Sequence, residues 1–142
     1  MAEEKILVLD ASVAVKWFNP EPLRDKALEI RESFVEGKIQ LEAPSLLPYE
    51  LGNALRYNPK FGIEEVEASV AAMEDLQLTL HEFRGALAHE AVETAYRLGI
   101  TLYDAAYVAL ASLRGGVLYS ADDELVRRAS RENVLHLSEY ES

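Results

Sequence analysis

Cysteine is absent from all 142 residues, which removes disulfides, thiolate zinc sites and cysteine nucleophiles at once. Cations are scarce too: 14 lysines and arginines stand against 25 aspartates and glutamates, for a net charge of −11. A surface of that sign repels polyanions as a whole, so broad electrostatic attraction to nucleic acid is excluded. A divalent cation at one site would still reverse the sign there. The three histidines build no rival centre. After His89, the run Glu90-Ala91-Val92-Glu93 has glutamate where a zinc-protease helix needs a second histidine, while His81 and His136 fall at strand ends and read as surface or edge residues. No phosphate-cradling glycine loop occurs, since Gly115-Gly116 precedes a strand and fits a turn. The acidic start, Met1-Ala2-Glu3-Glu4-Lys5, and the shortness of every apolar run leave no room for a secretory signal or a membrane span. The expected setting is the cytoplasm, with no membrane partner.

What is present is a chain 49% hydrophobic, enough to bury a core without staples and most simply one domain over residues 1–142. The stretch Lys5-Ile6-Leu7-Val8-Leu9-Asp10-Ala11-Ser12 puts four apolar residues before an acid and a hydroxyl. This is the pattern of a strand covered on both faces, with Asp10 at its carboxyl end. Ligands bind at that edge of open α/β sheets. A cap on the following helix, Val13 to Phe18, is an equally good use for Asp10 or Ser12.

Asn19-Pro20-Glu21-Pro22 then breaks regular structure, and Leu23 to Phe34 has helical periodicity ended by Gly37. Ile39 to Ala43 alternates as a second strand. Leu46 to Tyr57 reads as a helix with Leu47, Leu51, Ala54 and Leu55 in one stripe, and Glu50 lies on that stripe, a turn inside. Ile63 to Leu76 is a further helix, Leu78 to Leu80 a short strand, and Phe83 to Leu98 an amphipathic helix stopped by Gly99. Thr101 to Ala111 is apolar around its whole circumference apart from Asp104, as a helix buried on a sheet should be. Val117 to Tyr119 is a fourth strand, Ser120-Ala121-Asp122-Asp123 begins a helix running to about Glu132, and Val134 to Leu137 is a fifth strand. The polar tail after Leu137 is expected to fray. Strands alternating with helices predict an α/β fold, a three-layer α/β/α sandwich around a mainly parallel sheet of about five short strands.

Asp10 and Asp122 each follow an apolar strand, and Asp104 opens an otherwise uncharged helix. Each has a capping explanation, Thr101 with Asp104 and Ser120 with Asp123 resembling capping boxes. Glu50 has none, and a buried glutamate needs a partner. In a parallel sheet these acids gather at one edge, where four carboxylates would repel unless a cation joined them. A donor set of Asp and Glu oxygens points to Mg²⁺ or Mn²⁺ rather than zinc, and such sites serve metal-assisted phosphodiester cleavage. Arg127, Arg128 and Arg131 read as a solvated face favoured by the helix dipole, with steering of a phosphate backbone as a second use. Trp17 reads as core rather than as a base-stacking platform.

Taken together, Leu9-Asp10-Ala11-Ser12 with Lys16-Trp17-Phe18, Glu50 with Asn53-Ala54-Leu55, Tyr103-Asp104-Ala105-Ala106, and Ser120-Ala121-Asp122 with Leu125 resemble the PIN-domain nucleases, particularly the VapC-type toxins of prokaryotic toxin–antitoxin pairs. The resemblance runs over almost the whole chain. It implies a metal-dependent ribonuclease with Asp10, Glu50, Asp104 and Asp122 as the catalytic and metal-binding acids. Ser120 is then a supporting hydroxyl, standing where threonine is commoner. Ser12 and Asn53 are candidates for supporting hydrogen bonds, and Asp123 is a cap or an additional acid. It also implies an RNA substrate, a homodimer and a small VapB-type antitoxin. Two other readings compete. A haloacid-dehalogenase-type phosphatase also opens on a strand ending in Asp, but needs a positioned downstream lysine that the chain does not offer. A PIN-like module that binds RNA or protein without cutting would share every residue named.

Overall fold

The computed structural model describes residues 5–142; the acidic Met1–Glu4 lies outside them. Lys5–Leu9 forms β1 and occupies the middle of a five-stranded sheet of order β3-β2-β1-β4-β5, in which β2 is Ile39–Pro44, β3 Thr79–His81, β4 Val117–Ser120 and β5 Val134–His136. Every pairing is parallel. Val8 and Leu9 are fully buried, as the middle strand of a sheet covered on both faces requires. The chain passes from β1 to β2 and β3 on one side, then crosses back to add β4 and β5 on the other. The carboxyl end of β1 is therefore the crevice where ligands collect in such sheets.

The helices are α1 (Ala11–Ala14), α2 (Arg24–Val35), α3 (Leu47–Arg56), α4 (Ile63–Asp75), α5 (Gly85–Leu98), α6 (Leu102–Arg114) and α7 (Asp123–Arg128), with 3₁₀ turns at Val15–Trp17 and Leu137–Glu139. Helix α6 is the central one: Ala105 through Ala111 are all buried, which fits its uniformly apolar sequence. Trp17 is core, its indole N–H donating to the Ala27 carbonyl at 2.8 Å. Among the described residues, no helix is long and apolar enough to cross a membrane.

Five expectations need correction. The last helix stops at Arg128 rather than near Glu132, and Ser120 is not its cap: it ends β4, and Asp122 caps α7 through Glu124 N–H and Leu125 N–H. Ala54 is exposed, so the buried stripe of α3 is Leu47, Leu51 and Leu55. Because α3 starts at Leu47, Glu50 sits in its first turn rather than a turn inside. The tail does not fray: Tyr140 is buried, packs edge-on against Tyr119 and donates its hydroxyl to Ser33, while Lys26 Nζ donates to the Tyr140 carbonyl at 2.6 Å. One large aromatic with three partners anchors an otherwise polar segment.

Strand β2 departs from alternation as well. Glu42 is 1% exposed, because an interior strand lacks a solvated face. It is met by Arg114 through Nε at 2.8 Å and Nη2 at 3.2 Å, and by His81 Nε2 at 2.7 Å.

Gly116 marks where β4 enters beside β1: a Cβ there would lie 2.5 Å from the Ile6 carbonyl oxygen and 3.0 Å from Ile6 Cγ2. The obstacle is backbone and cannot step aside. Gly116→Ala is expected to destabilise the fold by roughly 2 kcal/mol, read as a lower urea midpoint. An unchanged midpoint would mean that the two strands separate at no cost.

Candidate active site

Asp10 leaves β1 with extended backbone and caps α1, its Oδ1 accepting from Ser12 N–H at 3.1 Å and from the Ser12 hydroxyl. Oδ2 accepts from the Ser120 hydroxyl at 2.6 Å. Asp10 is therefore a cap and at the same time a buried acid, 7% exposed. Burial pushes its carboxyl up to about 6; the Ser12 and Ser120 hydroxyls work against this, and the charges of Asp104 and Asp122 add to it. Ser120 is fully buried and also accepts from Asp122 N–H at 3.1 Å, while the Ser12 oxygen accepts from Ala121 N–H at 2.8 Å. These two hydroxyls stitch the end of β1 to the end of β4.

Asp104 lies in the first turn of α6, whose cap Thr101 accepts from Asp104 N–H at 3.0 Å. Burial, then the charge of Asp122, raise its pKa. Glu50 comes from α3 on the far side. Burial raises its pKa, with Asp104 adding to the rise and a hydrogen bond from Tyr107 opposing it. The partner Glu50 requires is the Tyr107 hydroxyl, which donates to Oε1 at 2.6 Å from a ring that is 1% exposed. Its phenol is held far above the ordinary range, chiefly by burial, then by that hydrogen bond and the charge of Glu50. Reasoning from sequence missed Tyr107. The available signal was its place three residues after Asp104, on the same face of α6.

At the carboxyl edge of the sheet Asp104 thus lies within electrostatic reach of Asp10, Glu50 and Asp122, and Asp10 within reach of Asp122. Asp104 and Asp122 line one cleft together with Thr101 and Arg128. Asp123 is different: it is exposed and pairs with His136 Nε2 at 3.1 Å. Asn53 is also apart, since its side chain is exposed and makes no hydrogen bond to the acids among the described residues.

The four acids are hard oxygen donors, and in kind they suit a divalent cation; burial, with neighbouring carboxylates adding to it, raises the pKa of Asp10, Glu50 and Asp104. In position they are open, because among the described residues no three acidic or histidine side chains stand close enough to grip an ion as they are. An ion would have to draw them inward.

A PIN domain family profile matches residues 7–131 of this chain. The chain is 32% identical over 127 residues to Ribonuclease VapC3 of Pyrobaculum aerophilum, covering 86% of this chain and 93% of that protein. Its fold is similar to VapBC2 from Rickettsia felis, solved bound to a promoter DNA fragment, at TM-score 0.71 with 15% identity over 92% of this chain and 98% of that one. It is also similar to VapC20 of Mycobacterium tuberculosis, described as a sarcin–ricin-loop-cleaving toxin, at TM-score 0.66 with 14% identity, over 85% and 93% of the two chains.

Proposed function

The chain belongs to the PIN-domain family, and from that premise we propose that it is an endoribonuclease, the toxin of a VapBC-type pair, using Asp10, Glu50, Asp104 and Asp122 with Mg²⁺ or Mn²⁺. We take residues 1–142 as one PIN domain that acts in the cytoplasm on RNA as a homodimer and is restrained by a VapB-type antitoxin. The VapBC complexes among its structural neighbours support the last point. The observation that carries the reading is Asp10: a buried acid whose nearest charged influences are two more acids. Such an arrangement is costly unless something of opposite sign is meant to bind.

A bound divalent cation would supply an activated water and neutralise the phosphate oxygens. The protein's own part is to hold its carboxylates in place. Ser12 and Ser120 fix both oxygens of Asp10, and helix starts present Asp104 and Asp122. Tyr107 donates to Glu50 Oε1 and so holds that carboxylate from inside the fold, and one of the carboxylates would take the proton of the attacking water. The phosphatase reading finds no support, because buried Lys16, the first lysine downstream of Asp10, is paired with Glu21 at 3.2 Å.

The test is hydrolysis of a panel of RNAs in Mn²⁺ or Mg²⁺, in EDTA, and by Asp104→Asn purified alongside. Cutting that needs both the ion and Asp104 is the expected result. Equal cutting by the variant would reveal a contaminant, and RNA binding without any cutting would favour a non-catalytic module.

A further inference from the structure

Next to the acids runs a groove of about 300 Å³ lined by Leu46, Phe83, Leu102, Tyr103 and Ala106. It adjoins the active site across the start of α6. Tyr103 precedes Asp104 in the first turn of α6, and Leu46 lies one turn before Glu50, so the first turn of α6 divides this groove from the cleft that holds Asp104 and Asp122. Three of its side chains are unusually open for apolar residues: Phe83 is 48% exposed, Tyr103 65% and Leu102 41%. We propose that this groove is a nucleobase subsite, in which Phe83 and Tyr103 stack on a base adjoining the phosphate held among the acids.

The inference rests on the ribonuclease reading and goes beyond it, to where the substrate lies and what selects it. Charge is the first argument. A protein of net charge −11 has to hold a polyanion, and Arg128, the cation that lines the cleft with Asp104 and Asp122, is already paired. Arg128 is tied to Glu124 at 2.7 Å and to the Gly99 carbonyl at 3.2 Å, and Lys16 is tied to Glu21. Little counterion-releasing contact with phosphate is left to drive binding, so affinity has to come from uncharged contacts. Stacking of bases on aromatic faces is the strongest of these and tolerates negative surroundings. Chemistry and size are the second argument. The groove has no charged lining residue to repel the strand, and its volume of about 300 Å³ has room for a planar ring. Continuity is the third: a strand crossing the start of α6 places one phosphate by the acids and the neighbouring base on Tyr103.

The measurement uses RNA oligomers carrying 2-aminopurine at each position in turn, with Ca²⁺ as the divalent ion, alongside cleavage kinetics in Mn²⁺. Quenching at one position in the wild-type protein is expected, with its loss in Phe83→Ala and Tyr103→Ala and its retention in Tyr103→Phe. Cleavage by the two alanine variants is expected to lose about tenfold or more through KM, with base preference beside the cut flattened and the salt slope of binding unchanged. Both residues are exposed, so folding is not at stake. Absence of quenching at every position overturns the subsite. So does unaltered RNA affinity in alanine variants whose mass by light scattering falls, since the groove would then belong to a protein partner. Quenching by a wild-type protein that never cuts RNA would refute the nuclease and leave the subsite standing. Cutting that ignores both aromatics would do the reverse.

Discussion

Asp10→Asn is expected to reduce RNA cleavage roughly a thousandfold or more and, in protein stripped of divalent ions, to raise the melting temperature. The second half follows from burial. Burial first, and Asp104 and Asp122 after it, bring the Asp10 carboxyl to about 6 from an ordinary 3.8, in spite of the Ser12 and Ser120 hydroxyls. A carboxyl raised in the folded state binds its proton more tightly there than in the unfolded chain. Its favourable contribution is therefore complete below the unfolded value of 3.8 and is lost as pH rises through about 6. At neutral pH the ionised group then weakens the fold by about 3 kcal/mol. Asparagine keeps the shape and the acceptor that caps α1, and the Ser120 hydroxyl can turn to accept from its amide. Thermal melts in EDTA should fall between pH 5 and pH 7.5 for the wild type and fall less for the variant, in which Glu50 and Asp104 are still raised by burial, so that the variant melts higher at pH 7.5 by about 5–10 °C. Added Mn²⁺ should stabilise only the wild type. A variant that melts lower at pH 7.5, or that still cuts, would sink the assignment.

Arg114→Ala carries the second large effect, and it lies away from the acids. Burial alone would raise the Glu42 pKa, yet the paired hydrogen bonds and charge of Arg114, joined by His81, hold it below the usual glutamate range. The stability this pairing provides is present above the unfolded glutamate pKa and is lost as pH falls through the depressed value. Removing the guanidinium leaves a carboxylate inside β2 with only His81 to meet it. Breaking such a pair costs about 3 kcal/mol, toward the lower end here because Arg114 is itself 43% exposed. Urea unfolding at pH 7 checks this. The double variant Glu42→Leu with Arg114→Leu should recover most of the loss, and equal midpoints for wild type and Arg114→Ala would show that water already reaches Glu42.

Much of this architecture is legible from pattern alone, for physical reasons that differ by element. The run before Asp10 is unbroken because β1 has no solvated face, and α6 is apolar all round because it lies on the sheet; each burial constraint is written in composition. Glu42 escapes such a reading. Alternation places it outward, and its partners Arg114 and His81 are 72 and 39 residues away, so nothing local announces them. Tyr140 escapes in the same way, being fixed by Ser33 and Tyr119 across the sheet. The acids were found because a charge in an apolar stretch is conspicuous. What bonds to them was harder to see, since serines and tyrosines fit many settings. Asn53 shows the opposite failing: neighbouring a conspicuous acid in sequence did not turn its side chain toward the cluster.

The hydroxyl of Ser120 and the carboxylate of Asp10 are partners 110 residues apart. During synthesis, the first strand leaves the ribosome long before the strand that will lie against it, at a pace of roughly 5–20 residues per second. Until that later strand docks, the early acid has only Ser12 to hold it, lacking the Ser120 hydroxyl on its second oxygen and any Asp122 nearby. An RNA-cutting chain born beside ribosomal RNA would therefore remain harmless through most of its own translation. A chain truncated before Ser120 should be inert for the same reason, whatever else of it manages to fold.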